Sequence, residues 1–364
     1  MIRVVHVISE LEPGGAETQL LHLLRRIDRT RFEPSVVYLF GPGTLAGRFR
    51  KAGIPVRDLE LRRWNVPLAS YKLAAHLRRI AAPCITHLHL VHATVIGVPA
   101  AAVAGCAGAI VTRHFVRPRR RGLAHRLEPR LLKRADRVIA VSDAVTRRLT
   151  EVERLPASKI ETIPHGIDLA WFDDRAAESR LAERWPAPTG AEIRIGAVGN
   201  WRELKGFDTL LAAFRRIRSR HSTAQLWIAG RRPGGGLPDA GSGVTLWYEL
   251  QPEEVPAFLS QLDIYVQPSR EESFGLAALE AMAAGLPVVA TRTEGLAELV
   301  APHETGLLIE VGDTAALDEA LEALLKSREA RESMGRAGRL RVERRYTIER
   351  TIADVQRVYE SVLG

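Results

Sequence analysis

Cysteine is nearly missing from this chain. Only Cys84 and Cys106 occur in 364 residues, both in apolar surroundings, so the sequence offers neither a disulfide framework nor a thiolate metal cluster and suits a reducing cytoplasm. No acidic residue occurs between Glu60 and Glu128. The opening Met1-Ile2-Arg3-Val4-Val5-His6-Val7-Ile8 lacks the long apolar core of a signal peptide and reads as a buried strand. A dinucleotide fingerprint is missing as well: Pro13-Gly14-Gly15-Ala16-Glu17 follows that strand, which is not Gly-x-Gly-x-x-Gly. The stretch from Ala93 to Thr112 carries no charge, yet Gly97, Pro99, Gly105 and Gly108 break it and it is poor in residues that drive membrane insertion. It reads instead as a helix near Val95 to Ala104, a turn, and a strand Ala109 to Thr112.

At 46% hydrophobic and 26% charged residues, the chain is globular and long enough for two domains. Apolar runs alternate with helical stretches: Val4 to Ser9, Ser35 to Leu39, Ile85 to Leu90, Ala109 to Thr112, Arg137 to Val141 and Lys159 to Ile163. A second series follows at Ile193 to Val198, Ala224 to Ala229, Val244 to Trp247, Ile264 to Gln267, Val288 to Ala290 and Gly306 to Ile309. Such alternation predicts βαβ units and parallel sheets. The expected architecture is α/β, with two doubly wound Rossmann-like domains facing across a cleft: residues 1–169, residues 170–346, and a C-terminal amphipathic helix in 347–364 able to pack back on the first domain. The join lies within Asp168 to Gly190, where Pro186, Pro188 and Gly190 gather.

Charge is divided unevenly. Residues 1–169 hold 28 Lys and Arg against 14 Asp and Glu, a net +14, whereas the remainder carries −5. Arg113, Arg117, Arg119, Arg120, Arg121, Arg126, Arg130, Lys133, Arg134 and Arg137 crowd one stretch. That face fits a polyanionic acceptor, an anionic membrane or simple solvation. Nucleic acid is the weaker reading, because few aromatic residues are interleaved for base stacking.

Two carboxylates eight residues apart, Glu272 and Glu280, frame Ser273-Phe274-Gly275-Leu276. A helix starting near Phe274 places Glu272 before its N-terminus and Glu280 about two turns down, with the amides of Gly275 and Leu276 aimed at an anion between them. A sugar, a diphosphate and a ribose diol have that layout. Solvated glutamates at either end of an amphipathic helix would also satisfy the spacing. Gly14 and Gly15 let backbone approach a phosphate or sugar closely, or merely make a turn. His87 and His89 share one face of a strand, with His92 just beyond, but no nearby cysteine or carboxylate completes a zinc shell, so core filling or cleft lining is the favoured role. His114 ends a strand where a cleft-facing loop should begin, a place where a lone histidine is more often structural than functional.

The string Pro268-Ser269-Arg270-Glu271-Glu272-Ser273-Phe274-Gly275-Leu276, followed by Glu280-Ala281-Met282-Ala283 and Gly285-Leu286-Pro287-Val288-Val289, resembles the signature of family-four retaining glycosyltransferases of the GT-B fold. Gly199-Asn200-Trp201-Arg202-Glu203-Leu204-Lys205-Gly206 resembles a second motif of that family. The resemblance implies a retaining, metal-independent transfer from a nucleotide-diphosphate sugar to a glycan or lipid-linked acceptor, with no cofactor; the absence of Asp-x-Asp removes the metal–diphosphate site of the other major glycosyltransferase fold. It implies that Glu272 binds sugar hydroxyls, Glu280 the ribose diol, Lys205 the diphosphate and His114 the transferred sugar. Gly14, Gly15, Ser273, Phe274, Gly275 and Leu276 would complete the donor site. Asn200 stands where the family has arginine, a charge that Arg202 could replace. Arg113, Arg117, Arg119, Arg120 and Arg121 form the expected acceptor or membrane face of a cytoplasmic or membrane-peripheral enzyme. A sugar-nucleotide epimerase and a silent nucleotide- or lipid-carrier-binding subunit are the competing readings.

Overall fold

The computed structural model describes residues 1–61, 65–80, 83–116, 122–177, 193–231, 241–248 and 250–363. Its strands form two all-parallel sheets. The first holds β1 (Ile2–Glu10), β2 (Phe32–Phe40), β3 (Val56–Asp58), β4 (Cys84–His89), β5 (Gly108–Arg113), β6 (Arg137–Ala140) and β7 (Ile160–Thr162), in the order β3-β2-β1-β4-β5-β6-β7. The second holds β8 (Arg194–Val198), β9 (Gln225–Gly230), β10 (Val244–Tyr248), β11 (Ile264–Gln267), β12 (Val288–Thr291) and β13 (Gly306–Ile309), in the order β10-β9-β8-β11-β12-β13. Only β3 was unexpected. Its Val-Arg-Asp is three residues at a sheet edge with no apolar run to announce it.

Central strands such as β4 and β5 are buried along their whole length, as parallel strands covered by helices on both faces must be. In each sheet the order reverses beside the first strand, since β1 lies between β2 and β4 and β8 between β9 and β11. Crossovers diverge there and leave a crevice at the C-terminal strand ends, the usual ligand position in doubly wound sheets. The loops leaving β1, β4, β8 and β11 therefore matter most.

The chain divides into two compact units, Met1–His165 with Ile348–Gly364, and Gly166–Thr347. The division falls four residues ahead of the expected 169/170, because the helix Leu169–Ala176 belongs to the second unit, where Phe172 is buried and Asp173 pairs with Arg339 at 2.7 Å. The last helix, Ile348–Ser361, contributes Ile348, Ile352, Val355, Val358 and Tyr359 to the core of the first unit beside Leu20, Leu24 and Phe32. Each such side chain is worth about 1.5–3 kcal/mol relative to exposure. The Asp28 amide also donates to Gln356 Oε1 at 3.3 Å, and Arg31 pairs with Glu360.

The uncharged stretch folds as the helix Leu90–Ala104, with Pro99 inside it, followed by β5. The helix begins five residues earlier than the sequence led us to expect, with His89 as its N-cap. Among the described residues no helix is long and apolar enough to cross a membrane. Cys84 is buried and Cys106 half-buried, both with free thiols, and Cys84 Sγ lies 3.9 Å from Ile85 O.

Candidate functional site

In the second unit, two loops leave the strands that flank the switch point and are tied together. The Arg270 amide donates to Leu204 O at 2.8 Å, and the Arg270 guanidinium donates to Asp208 Oδ1 at 3.0 Å. Gly206 has φ of +65°, and a Cβ there would stand 2.0 Å from the carbonyl oxygen of Pro268. No other residue type fits without moving one loop off the other. This close approach brings Lys205 Nζ to within 2.8 Å of Glu272 Oε2, in a partly buried pair with side-chain exposures of 22% and 14%.

The backbone around Glu272 is also fixed from behind. Glu272 O accepts from the Gly295 amide at 3.0 Å, and a Cβ at Gly295 would lie 2.3 Å from Phe274 N. Gly295 thus lets the chain approach this loop. Below the loop, Tyr265 donates its hydroxyl to Gln267 Oε1 at 2.6 Å, and Gln267 donates to Ser269 Oγ at 2.8 Å. Burial pushes the Tyr265 phenol well above its ordinary range, with the Glu280 and Glu272 carboxylates adding to the shift.

The helix begins at Leu276, two residues later than the spacing suggested, with Gly275 as N-cap at φ +99°. No side chain caps its first turn, so its leading amides are open to an anion beside Lys205. Ser273 and Phe274 are buried in the loop. Glu280 lies on the second turn. Although its residue surface is partly accessible, lost solvation pushes its carboxyl up to about 8, and it has no basic partner among the described residues. A carboxyl left this way is suited to a ligand with hydroxyl groups to share.

Asn200 Oδ1 accepts from the Arg231 amide at 3.4 Å, so this residue braces the loop against the exit of β9. Arg202 is exposed ahead of the short turn Glu203–Lys205. Trp247 packs edge-on against buried Trp227, ring centres 5.5 Å apart, which gives it a role in packing.

In the first unit, Gly14 is the N-cap of the helix Gly15–Arg26, at the exit of β1. Its backbone is extended, and a Cβ would meet only the movable Glu17 carboxylate, so φ does not demand glycine here. Beside it lies a pocket of about 40 Å³ lined by Ala16, Gln19, His87, His89, His114 and His165 among others. Its enclosed part has room for a few waters.

That pocket opens on a buried cluster of imidazoles. Register sets it up: His6 on β1 pairs with His87 on β4, and Ile8 with His89. His6 Nδ1 lies 3.1 Å from His89 Nε2, and His89 Nδ1 lies 3.4 Å from His114 Nε2. His87 Nδ1 lies 2.8 Å from the Tyr359 hydroxyl, His87 Nε2 2.7 Å from Thr112 Oγ1, and the same phenol is 3.5 Å from His6 Nε2. His165 stacks on His114 at 5.6 Å. Burial holds His6, His87 and His89 well below the usual histidine range, His114 at about 3 and His165 at about 4. All five are neutral rings at pH 7. The sequence pointed to His114, His87 and His89 but missed His6, His165 and Tyr359 as members. A histidine inside the apolar strand Val4 to Ile8 was the available signal. His6, His87 and His89 also offer nitrogens within 4.8 Å of one another, so a third ring joins the two that the strand pattern had left without a partner. His92 stands apart, edge-on to Phe40.

Arg113 corrects the expected basic face. It is 2% exposed, with Nη1 2.6 Å from Glu128 Oε2 and Nη2 2.9 Å from Glu153 Oε1, and its guanidinium covers the Phe115 ring at 4.1 Å. The end of β5 turns this side chain inward, where two acids distant in sequence neutralise it. It cannot contact an acceptor or a membrane. Arg117, Arg119, Arg120 and Arg121 lie outside the described residues. Arg126, Arg130, Lys133 and Arg134 are exposed.

Residues 13–171 match the family described as Glycosyltransferase Family 4, and residues 192–327 match Glycosyl transferases group 1. A D-inositol 3-phosphate glycosyltransferase of Segniliparus rotundus is 31% identical over 222 residues, 58% of this chain and 49% of that protein; the chain therefore spans about half the length of that relative. The lipopolysaccharide core biosynthesis mannosyltransferase LpcC of Rhizobium leguminosarum bv. viciae is 30% identical over 246 residues, 64% of this chain and 67% of LpcC. Anabaena HepE, solved with UDP and glucose, superposes with a TM-score of 0.84 at 18% identity, covering 99% of both chains. With each sheet's unit matched in turn, two thirds of LpcC covered and the full-length fold shared with HepE, the chain belongs to the family 4 glycosyltransferases and has their GT-B fold.

Proposed function

We propose that the chain is a retaining, metal-independent glycosyltransferase that moves a sugar from a nucleotide-diphosphate sugar to an acceptor hydroxyl in glycan, glycolipid or envelope-polysaccharide synthesis. The observation that carries the reading is the grouping of Lys205, Glu272 and Glu280 around an uncapped helix N-terminus at the switch point of the second sheet. One cation, open amides and two carboxyl groups offer partners for a diphosphate and for the diols on either side of it. The crystal structures of HepE with UDP and with UDP-glucose support a donor of that class.

In this reading the diphosphate draws Lys205 Nζ away from Glu272, and the freed carboxylate takes sugar hydroxyls. The acceptor attacks on the face from which the diphosphate departs, and that diphosphate takes the acceptor's proton. Lys205 and the amides at Gly275 and Leu276 neutralise its growing charge. His114, a neutral ring, hydrogen-bonds the sugar. Arg126, Arg130, Lys133 and Arg134 draw an anionic membrane or lipid-linked acceptor to the first unit, at about 1 kcal/mol for each basic residue near the surface. Flotation on anionic vesicles at low salt, lost at high salt, is the expected result, and equal binding to neutral vesicles would remove this part of the reading.

The principal test is a thermal-shift screen of nucleoside diphosphates and their sugars. One of them should raise the melting temperature, since ligand at 100 times its Kd adds about 2.7 kcal/mol, and Lys205→Ala should abolish the shift. NMR of the product made from that donor should then show the anomeric configuration retained in EDTA. No shift with any nucleotide, or an inverted product, would sink the proposal.

A further inference from the structure

The imidazole cluster contains more order than core filling needs. Each neutral ring has one N–H and one lone pair, and His6, His87 and His89 each have contacts at both nitrogens. A donor at one nitrogen forces an acceptor at the other, so the choice made at one ring passes to the next. The contacts run head to tail from His114 to His89, His6, Tyr359, His87 and Thr112. Three assignments keep every link, but one has Tyr359 accept from both rings and leaves its buried phenol proton without an acceptor; the other two are opposite in direction.

The phenol decides between them. Tyr359 has a single proton and two imidazole neighbours, His87 Nδ1 at 2.8 Å and His6 Nε2 at 3.5 Å. A hydroxyl donates best at about 2.5–3.0 Å, so the proton goes to His87 and the longer His6 contact is left with the ring N–H as its donor. Tyr359 then accepts from His6 Nε2–H, His6 Nδ1 accepts from His89 Nε2–H, and His89 Nδ1 accepts from His114 Nε2–H. At the far end His87 Nε2–H donates to Thr112 Oγ1. His114 Nδ1 takes no hydrogen bond from the described residues and is left with its lone pair.

We infer that His89, His6, Tyr359 and His87 are positioning residues, a one-way chain of hydrogen bonds anchored on the C-terminal helix that holds His114 as the Nε2–H tautomer and presents its Nδ1 lone pair as an acceptor for a hydroxyl group. The bearing of this on sugar binding rests on the proposed function; the chain itself does not. A metal is the competing use of the same nitrogens, which stand within 4.8 Å of one another. It would break the links of three rings in a cluster with no carboxylate or thiolate among its members to balance a dication.

Long-range ¹⁵N–¹H spectra of histidine-labelled protein at pH 7, without donor or acceptor, test this directly. His6, His87, His89 and His114 should each show Nε2–H as the single tautomer. In His89→Gln, His114 should relax to comparable populations of both tautomers, and in Tyr359→Phe the change should appear at His6 and His87 while the backbone spectrum stays native-like. Mixed tautomers in the unaltered protein, an Nδ1–H at His114, or His114 unchanged in His89→Gln would overturn the inference. So would stoichiometric Zn²⁺ displacing the Nε2–H signals. Because no substrate is present, these spectra stand even if no nucleotide sugar proves to be a donor, and a working transferase with mixed tautomers would sink the chain alone.

Discussion

Glu280 and His114 are held in unusual protonation states by the same cause, loss of solvation, with opposite consequences for pH. Glu280 rises from 4.5 to about 8, so between those values the folded state holds a proton that the unfolded state has released, and its contribution makes stability fall as pH rises. The histidines are lowered from 6.5, His114 to about 3, so below 6.5 the unfolded state binds protons that the folded state refuses. Their contribution falls as pH drops, at up to about 1.4 kcal/mol per pH unit for each ring. Glu280→Gln copies the neutral carboxyl and should flatten the fall of melting temperature between about pH 4.5 and pH 8 while raising donor KM more than it changes kcat; a donor KM equal to that of the unaltered chain would remove Glu280 from the donor site. Arg113→Ala strands Glu128 and Glu153 and should cost about 3–5 kcal/mol in a denaturant titration, whereas replacing a membrane-facing arginine would cost almost nothing.

At the scale of elements, the loops after β8 and β11 are packed backbone to backbone, and their sequence order conceals this. Gly206→Ala places a methyl group into Pro268 O at a positive φ and should destabilise the chain by more than about 1 kcal/mol, whereas the same change at an unstrained glycine would stabilise it slightly. It should also weaken nucleotide binding by separating Lys205 from Glu272, measured by calorimetry with the nucleotide that passes the thermal-shift screen. An alanine variant that binds normally would show that the loops can part without loss. The strands were legible because apolar runs such as Val4 to Ser9 and Ile264 to Gln267 are what doubly covered sheets require. Glu272, Glu280 and Lys205 were legible as a motif. Three features were not. Arg113 looked like part of a basic surface because its two acids come from Glu128 and Glu153, beyond any local window. His6 was masked by the apolar strand around it, and Tyr359 by the helical spacing of the terminal segment. For His6 and Tyr359 the partner is brought in by sheet register or by the last helix, and neither leaves a periodic trace.

At the scale of the whole molecule, the first unit is made from both ends of the chain. Removing residues 348–364 strips Ile348, Ile352, Val355, Val358 and Tyr359 from its core and cuts the histidine chain at its phenol. Circular dichroism and proteolysis of that truncation should show the first unit largely unfolded and the second, Gly166–Thr347, still resistant; a fully folded truncation would mean that the helix is an accessory. During synthesis on the ribosome the order of completion is therefore inverted. The unit whose sequence emerges first waits, with Leu20, Leu24 and Phe32 uncovered, until the final helix is released, by which time the second unit has already been able to fold. During that interval the apolar face that the last helix will cover is open to misassembly.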